Sequence, residues 1–193
     1  MIAATVLAAG DSARMGSPKA LLDYRGMTFL SSILQTLKQA GIERQLVVLS
    51  AELLNALSPS DLSHVESVIS QEPAAGPIGS IRTALRLYRA ERLRALLVWP
   101  VDLPHVRVDT IQCLTSSLDD EADILLPRFR GRRGHPVILG SGIFREVLEL
   151  PSGQTMRAIV RADRSRVKEV DVDDPAVVDS VNTPRDYQRL VGG

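Results

Sequence analysis

Hydrophobic residues form two kinds of pattern that alternate along the whole chain. Short apolar runs, several of them rich in β-branched residues, are typical of buried strands. They predict strands at Ile2–Ala8, Gln45–Leu49, His64–Ile69, Ala95–Trp99, Asp123–Leu126, Pro136–Leu139 and Val167–Val172. Longer segments in which apolar residues recur every three to four positions are typical of helices. They predict helices at Thr28–Ala40, Ala51–Leu57, Ile78–Ala90, Val108–Leu118, Ile143–Leu150, Gln154–Ala162 and Pro184–Val191.

The order of these elements predicts an α/β fold. Strands that alternate with helices form βαβ units, so we expect a mostly parallel (mixed) sheet with helices on both faces. No internal repeat or linker divides the sequence, which predicts a single domain over residues 1–193. The segment 128–142, rich in Arg and Gly, predicts a hairpin or insertion. Ligands bind such sheets beyond the carboxyl ends of the strands, where the loops at 8–19 and 100–104 are expected to lie.

Composition and charge exclude several classes of protein. Of the 193 residues, 45% are apolar and 24% are charged, which excludes a disordered chain. Lys and Arg total 23, as do Asp and Glu, so the sequence lacks the basic excess of a general nucleic-acid binder. No apolar run approaches the ~20 residues that span a bilayer, and the first residues lack the basic flank of a signal peptide. With Cys113 as the only cysteine, no internal disulfide can form. We expect a cytoplasmic protein that binds neither membranes nor nucleic acid.

The loop after the first predicted strand carries the first candidate chemistry, in the sequence LAAGDSARMGSPKALL at positions 7–22. Gly10 and Gly16 let the backbone approach a phosphate, whose charge Arg14 and Lys19 would neutralise. The loop is neither a Walker A motif nor a G-x-G-x-x-G fingerprint. It favours a phosphate site, and the alternative is an ordinary βα turn with solvated charges.

Asp102 is a candidate ligand for Mg²⁺, because it follows the predicted strand Ala95–Trp99 and lies between two prolines. Mg²⁺ in a phosphoryl-transfer site takes one or two carboxylates together with phosphate oxygens. The alternative is an aspartate that begins a turn before the next helix. Near the other end of the chain, Asn182-Thr183-Pro184 predicts the cap and first turn of the last helix.

Two further segments suit anions. Gly79, Ser80 and Arg82 lie at the start of the third predicted helix, and a helix N-terminus attracts negative charge. Helix capping by Ser80 is the alternative there. The segment RFRGRRGHPVIL at 128–139 carries a local basic patch, which is either an anion site or a solvated hairpin tip.

The run L-A-A-G-x-x-x-R-M-G-x-P-K at positions 7–19 resembles the signature loop of the nucleotidyltransferases that build nucleotide–sugar and nucleotide–cofactor pyrophosphates. It is most similar to the molybdenum cofactor family, the molybdopterin cytidylyl- and guanylyltransferases. The resemblance implies a Rossmann-like nucleotidyltransferase fold. It also implies a loop that wraps a nucleoside triphosphate.

Roles for individual residues follow from this resemblance. The implied nucleotide-binding residues are Leu7, Ala8, Ala9, Gly10, Arg14, Gly16, Lys19, Gly79 and Ser80. The backbone at 8–10 would lie near the base and ribose, Arg14 would hold the β- and γ-phosphates, and Lys19 would stabilise charge on the α-phosphate. With Asp102, these two side chains would form the catalytic set.

The resemblance continues in order through the rest of the chain. It implies that Asp102 and Asn182 bind Mg²⁺, with Asp179 as a weaker candidate ligand. Gly134-His135-Pro136 is typical of the cytidylyl branch, in which this region faces the second substrate. There the acceptor-binding residues would be Arg130, Arg132, Arg133 and His135, the arginines on the terminal phosphate of the pterin and the histidine in a positioning role.

One segment departs from the family pattern. Where the cytidylyltransferases have L-x-G-D-x-G-A-R, residues 150–157 are LPSGQTMR, with Gln154 at the Asp and Thr155 at the second Gly. Because this segment is expected near the second substrate, the identity of the acceptor stays open. The start of the loop, LAAG, resembles the cytidylyl enzymes, whereas the guanylyl enzymes have LAGG. The resemblance therefore implies that the extra methyl group of Ala9 leaves less room beside the base and favours CTP.

We therefore expect a Mg²⁺-dependent enzyme that transfers CMP from CTP to a phosphorylated acceptor, first of all molybdopterin, and releases pyrophosphate. A molybdenum enzyme or its chaperone would be its protein partner. Two alternatives within the same class are a GTP-using guanylyltransferase and a sugar- or polyol-phosphate nucleotidyltransferase. An alternative of another class is a non-catalytic nucleotide-binding or cofactor-delivery protein.

Overall fold

A mixed sheet of eight strands forms the centre of the fold in the computed structural model, which describes residues 1–10, 15–62, 65–88, 93–119 and 123–192. A separate two-stranded hairpin precedes the first helix. In chain order the strands are β1 (Ile2–Ala8), β2 (Asp23–Tyr24), β3 (Met27–Thr28), β4 (Gln45–Leu49), β5 (Glu66–Ile69), β6 (Ala95–Pro100), β7 (Ile124–Phe129), β8 (Arg132–Arg133), β9 (Val137–Gly140) and β10 (Val167–Asp171). The separate hairpin is formed by β2 and β3.

The strand order of the large sheet is β10-β7-β9-β6-β1-β4-β5, with β8 added to β7. Its central strands β6, β1, β4 and β5 run parallel, as do β7 and β10, whereas β9 is antiparallel to both β6 and β7. The chain reverses direction after β7 through the short strand β8. The few residues between β7 and β9 are too short for the crossover that would make these strands parallel. The mostly parallel (mixed) sheet expected from the sequence is confirmed.

Helices cover both faces of this sheet. They are α1 (Phe29–Gln39), α2 (Ala51–Ala56), α3 (Pro77–Leu87), α4 (Val108–Ser116), α5 (Phe144–Glu149), α6 (Met156–Ala162) and α7 (Pro184–Val191). Alternate residues of β4 enter different cores, since Val47 packs in the cluster that contains α1 and α4, and Val48 in the cluster that contains α3, α5 and α6. The helices on both faces complete the α/β fold expected from the sequence.

The predicted elements agree with the structure within a few residues at their ends. The first two predicted strands have the observed bounds, as has the last helix. The turn at Arg130 and Gly131, with φ of 47° and 78°, joins β7 to β8 and confirms a hairpin within 128–142. The hairpin of β2 and β3 was not predicted, because two-residue strands carry no periodicity.

Parts of two predicted elements lie outside the described residues: His64 at the start of one strand, and residues 89–90 at the end of one helix. Within the described parts of the chain, no helix combines the length and the apolar character needed to cross a membrane.

Candidate active site

A cleft of about 1380 Å³ opens at the carboxyl ends of β1, β4 and β6. One part of it is lined by the last residues of β1 and β6 and by the segments that follow β1, β4 and β6, at 7–10, 16–20, 50, 52–53 and 100–102. Another part is lined by the connection between β8 and β9 and by α6. The parallel strands therefore bring the two loops singled out in the sequence to one edge of the sheet, as expected for ligand binding in such folds.

Asp102 is placed at this edge by a turn that buried residues hold in position. Trp99, which is fully buried, donates a hydrogen bond from Nε1 to the carbonyl of Leu103 at 3.0 Å. The N–H of Val101 donates to the carbonyl of Leu7 at 3.1 Å, which fixes the turn against the end of β1. The Asp102 side chain is 22% exposed and lines the cleft.

Lys19 connects Asp102 with the segment before the last helix. Its ammonium donates to Asn182 Oδ1 at 2.7 Å and lies 3.7 Å from Asp102 Oδ2. The N–H of Val181 donates to the carbonyl of Asp102 at 2.8 Å, which ties the two segments together. Lys19 and Asp102 line the cleft, and Asn182, which is not among the lining residues, contacts Lys19 from the segment before the last helix.

The Asn182 side chain can contact Lys19 because Thr183, and not Asn182, caps α7. Thr183 Oγ1 accepts from the N–H of Asp186 at 3.2 Å, and the Asp186 carboxylate accepts from the N–H groups of both Thr183 and Asn182. The Asn182 amide nitrogen donates to Ser180 Oγ at 2.7 Å, which leaves Oδ1 to face Lys19. The predicted cap at the last helix is confirmed, with Thr183 as the capping residue.

Asp179, the weaker candidate ligand, has other partners. Its carboxylate accepts from Arg189 at 2.7 Å and lies 3.8 Å from Nε2 of His105. It is not among the residues that line the cleft.

Burial sets the protonation chemistry of the site. It raises the pKa of Asp102, an effect that the charges of Lys19 and His135 oppose. It lowers the pKa of His135, an effect that the charge of Asp102 opposes. His135 is exposed to the cleft rather than enclosed, but the cleft walls still displace much of the water around its ring. Both groups are thus biased toward their neutral forms, and an added cation would favour ionised Asp102.

The oxygens of Asp102 and Asn182 fit a hard divalent cation. Carboxylate and amide oxygens are ligands that such ions accept, and Mg²⁺ is usually held by one or two carboxylates while phosphates complete its shell. Both oxygens already face the positive charge of Lys19. Within the described residues, no group of three or more His, Cys, Asp or Glu side chains could hold a metal ion.

Most of the predicted nucleotide-binding residues line the cleft. These are Leu7, Ala8, Ala9, Gly10, Gly16, Lys19 and Ser80. Gly79 is buried and lies behind the lining, where an added Cβ would overlap the carbonyl oxygen of Glu72. A glycine is therefore required there for the turn at Glu72 to pack against the start of α3. Arg14 lies outside the described residues.

Arg82, in the same segment, faces away from the cleft. Its guanidinium donates to the carbonyls of Val147, at 3.0 Å, and of Leu150, and to the carboxylate of Glu72 at 3.0 Å. Its side chain is only 8% exposed. Arg82 therefore fixes α3 to the end of α5, and so to the segment that leads into α6.

The predicted acceptor patch is divided by the structure. Arg133 and His135 line the cleft, whereas Arg130 and Arg132 are absent from its lining. Arg133 donates to Glu169 at 2.7 Å, so part of its charge is already balanced. The guanidinium of Arg130 lies over the ring of Phe129, 5.1 Å from its centroid, at the hairpin turn.

A close backbone contact holds His135 at the cleft. Its N–H donates to the carbonyl of Val177 at 2.9 Å. A Cβ on Gly134 would overlap the same carbonyl oxygen, so the approach depends on glycine at 134.

One set of charged residues that line the cleft, on and just beyond α6, was not predicted from the sequence. Arg157 was noted only as part of the altered segment, and Arg161 and Arg164 were given no role, yet all three line the cleft. Their spacing of four and then three residues is that of one helix face, and this signal is visible in the sequence.

A family model, that of the MobA-like NTP transferase domain, matches residues 4–169. Among curated proteins, the probable molybdenum cofactor guanylyltransferase of Bacillus cytotoxicus is 30% identical over 68% of this chain and 64% of its own length. This chain therefore spans slightly less than two thirds of that relative. The nicotine blue oxidoreductase of Paenarthrobacter nicotinovorans is 29% identical over 98% of this chain and 96% of its own.

Among solved structures, the Rv0371c protein of Mycobacterium tuberculosis superposes with a TM-score of 0.84 and 28% identity, over 100% of this chain and 97% of that one. The same protein has been solved in complex with manganese, and that structure superposes with a TM-score of 0.80 and 27% identity, over 100% of this chain and 98% of that one. The fold class expected from the sequence is confirmed by these similarities.

Proposed function

The chain belongs to the MobA-like NTP transferase family, and on this basis we propose that it transfers a nucleoside monophosphate from a nucleoside triphosphate to a phosphorylated acceptor. It is a nucleotidyltransferase. The observation that carries the proposal is the meeting of Lys19, Asp102 and Asn182 at the carboxyl end of β6. This reaction needs fixed positive charge and oxygen ligands at the one point where charge develops.

The proposed reaction forms one bond and breaks one. An acceptor phosphate oxygen attacks the α-phosphorus, and the bond from this phosphorus to the bridging oxygen of the β-phosphate breaks, so pyrophosphate leaves with that electron pair. The acceptor is already anionic, and no side chain has to remove a proton from it. The chain's contribution is positioning and charge stabilisation.

Lys19 is the residue we assign to the α-phosphate. Its ammonium is held by Asn182 at 2.7 Å, so its position is set before the substrate arrives. A preorganised charge stabilises developing negative charge without reorganising during the reaction. The carbonyl of Asp102 accepts a hydrogen bond from the N–H of Val181, which holds the Asp102 turn against the segment that carries Asn182.

Asp102 and Asn182 are the residues we assign to a divalent cation, which we propose to be Mg²⁺. When bound, this ion would neutralise negative charge on the phosphates. The manganese complex of the Mycobacterium tuberculosis protein supports a divalent metal in this fold. The pKa of Asp102, raised by burial, makes its ionised form dependent on nearby positive charge.

We propose GTP as the donor, since relatives over much of the chain are named guanylyltransferases. CTP is the second candidate, and Ala9, which lines the cleft after β1, is the residue that favours it. For the acceptor we propose molybdopterin, on the names of the same relatives. The altered segment 150–157 supplies Thr155, Met156 and Arg157 to the cleft, so the acceptor is tested together with the donor.

The decisive experiment supplies the purified protein with Mg²⁺, molybdopterin and either GTP or CTP labelled at the α-phosphate. We expect the label of GTP to enter the acceptor, with release of one equivalent of pyrophosphate. Transfer from CTP alone would instead assign base selection to the region of Ala9.

Nucleotide binding without pyrophosphate release from either donor would contradict the proposed reaction. It would favour the non-catalytic nucleotide-binding or delivery protein. Transfer to sugar or polyol phosphates, but not to molybdopterin, would keep the reaction and replace the acceptor.

A further inference from the structure

Three arginines form a stripe along one side of the cleft. Arg157 and Arg161 belong to α6, and Arg164 begins the single helical turn that follows it. All three are exposed and line the cleft. We call them the arginine stripe. Ile159, on the same helix, is buried in the core cluster that also contains residues of β7 and β9, which anchors the helix.

The stripe differs from its neighbours in having no counter-charge. Arg128 and Arg133, on β7 and β8, share Glu169, and Arg166 pairs with Asp123 and Glu146. In the part of the chain that the structure describes, none of the stripe guanidiniums has a carboxylate within salt-bridge distance. Like charges four residues apart destabilise a helix, so the stripe weakens the protein in its free state. An anionic ligand would remove this repulsion.

The stripe is too long and too remote to serve only the phosphate that reacts. At 1.5 Å of rise per residue, Arg157 and Arg161 lie roughly 6 Å apart along the axis of α6, and Arg164 extends the stripe beyond the end of the helix at Ala162. Ile159 of α6 shares one core cluster with residues of β7 and β9. Of these strands, β7 lies three positions from β1, which is roughly 14 Å at normal strand spacing. Lys19 lies in the loop that follows β1. A single phosphate at Lys19 therefore leaves most of the stripe without a ligand.

The floor of the cleft between these two regions is apolar. Its partly exposed lining residues there, on β9 and α6, are Val137, Met156 and Val160, with the buried Ile124, Leu126 and Leu139 of β7 and β9 beneath them. An apolar floor suits the face of a flat ring, and arginines at its border suit an anion carried by that ring.

We propose that the arginine stripe binds a second anionic group of the acceptor, so that the enzyme selects ring-bearing phosphomonoesters with a further negative charge. This inference rests on the proposed function, in which the cleft holds a phosphorylated acceptor. Arg161 and Arg164 supply the selectivity, and the acceptor phosphate that attacks lies next to the donor α-phosphate, which is assigned to Lys19.

The test compares two probes that differ only in the second charge, phenyl phosphate and 4-carboxyphenyl phosphate. Isothermal titration of the full chain measures the dissociation constant of each, with and without saturating GTP and Mg²⁺. We expect the unaltered protein to bind the carboxylated probe at least tenfold more tightly. The double variant R161Q/R164Q should bind both probes about equally, and R164Q alone should lose part of the preference.

R185Q is the matched control, because Arg185 is exposed on α7 and does not line the cleft. It should keep the full preference. Equal affinities in the unaltered protein, or an undiminished preference in R161Q/R164Q, would overturn the proposal. A tenfold loss of GTP affinity in R161Q/R164Q would also overturn it, since the stripe would then serve the donor phosphates.

The two proposals fail separately. Titrations without nucleotide measure the preference whether or not the protein transfers a nucleotide. If the unaltered protein prefers the carboxylated probe but releases no pyrophosphate, only the proposed reaction is overturned. If the unaltered protein transfers the nucleotide normally but shows no preference for the carboxylated probe, only the role of the arginine stripe is overturned.

Discussion

Asp102 has to be ionised to hold a cation, yet its surroundings favour the protonated form. Burial raises the pKa of this carboxyl above its usual value despite the nearby Lys19. Between the unfolded and the folded pKa, the folded state binds more protons, so this group lowers stability as pH rises through that interval. At neutral pH the ionised side chain is therefore a cost to the fold that serves the site.

We accordingly predict that Asp102→Asn separates activity from stability. Without the buried charge, the variant should melt at or above the temperature of the unaltered protein at pH 7. Its nucleotide transfer should fall by about 100-fold or more, the scale of losing one preorganised electrostatic group. Thermal melts and pyrophosphate release measure the two effects. A variant that keeps its activity, or melts several degrees lower, contradicts the assignment.

His105 makes the stability of the fold depend on pH in the direction opposite to Asp102, because burial lowers its pKa. Burial lowers its pKa from the usual 6.5, against the attraction of Asp179, and Nδ1 is buried with no hydrogen-bond partner among the described residues. A histidine whose folded pKa is depressed contributes stability above pH 6.5 that is lost as pH falls through the folded pKa.

We predict that melting temperature falls as pH is lowered from about 7.5 to about 5.5, and that His105→Phe makes this dependence shallower. The substitution keeps a ring beside Tyr24, which His105 contacts edge-on, and removes the titration. Thermal melts across this range, for both proteins, are the measurement. An unchanged slope in the variant would assign the pH dependence to other groups.

The site residues and their shared location were predictable through the family resemblance, but the direct contact between Lys19 and Asn182 was not. Lys19 and Asp102 follow apolar runs that end in recognisable turns, so the sequence places each at a strand end. Asn182 was first interpreted as part of a helix cap, and only the structure shows that Thr183 makes the cap and leaves Asn182 Oδ1 to Lys19. Such contacts depend on the order of strands in the sheet, which periodicity does not encode.

Between elements, Arg82 is the contact with the largest expected effect on stability. It joins the start of α3 to α5 through two carbonyls and Glu72, and it is almost fully buried. Removing one partner of a buried charge leaves its other partners without hydrogen bonds. The arginine stripe follows this junction in the chain.

Arg82→Met is therefore expected to lower the free energy of unfolding by about 3–5 kcal/mol. Arg86→Gln is the matched control, because Arg86 pairs with the same Glu72 but is 42% exposed. Its loss should cost about 1 kcal/mol or less, as for exposed ion pairs. Urea denaturation of both variants measures the difference. Equal losses would show that the carbonyl contacts of Arg82 contribute little.

The sequence predicted the main strands and helices well and missed the two-residue strands β2 and β3. Buried strands such as β1 and β4 are almost entirely apolar, with Thr5 and Gln45 as the exceptions, so their bounds follow closely from the apolar pattern. β9 also was predicted as a strand, but its antiparallel direction depends on the hairpin at Arg130 and Gly131. The stripe on α6 was missed because its arginines look like an ordinary solvated face until the cleft is seen.

Across the whole molecule, the cleft collects loops from both sides of the sheet, so a bound nucleotide would tie together segments far apart in the chain. Ligand that binds only the folded state stabilises it by about 2.7 kcal/mol at a concentration of 100 times its dissociation constant. For a chain of this size, that corresponds to a rise in melting temperature of about 5–10 °C.

We predict such a rise with GTP and Mg²⁺ together, and a smaller one with either alone. The reason is that the triphosphate and the cation are expected to meet at Asp102, Asn182 and Lys19, so each completes the site for the other. Melts with GTP, CTP, ATP and UTP, with and without Mg²⁺, rank the donors without any acceptor. In Asp102→Asn the Mg²⁺-dependent part should vanish while the nucleotide-only part remains. A full Mg²⁺-dependent shift in that variant would move the cation site away from β6, and a larger shift with CTP than with GTP would favour Ala9 as the determinant of the base.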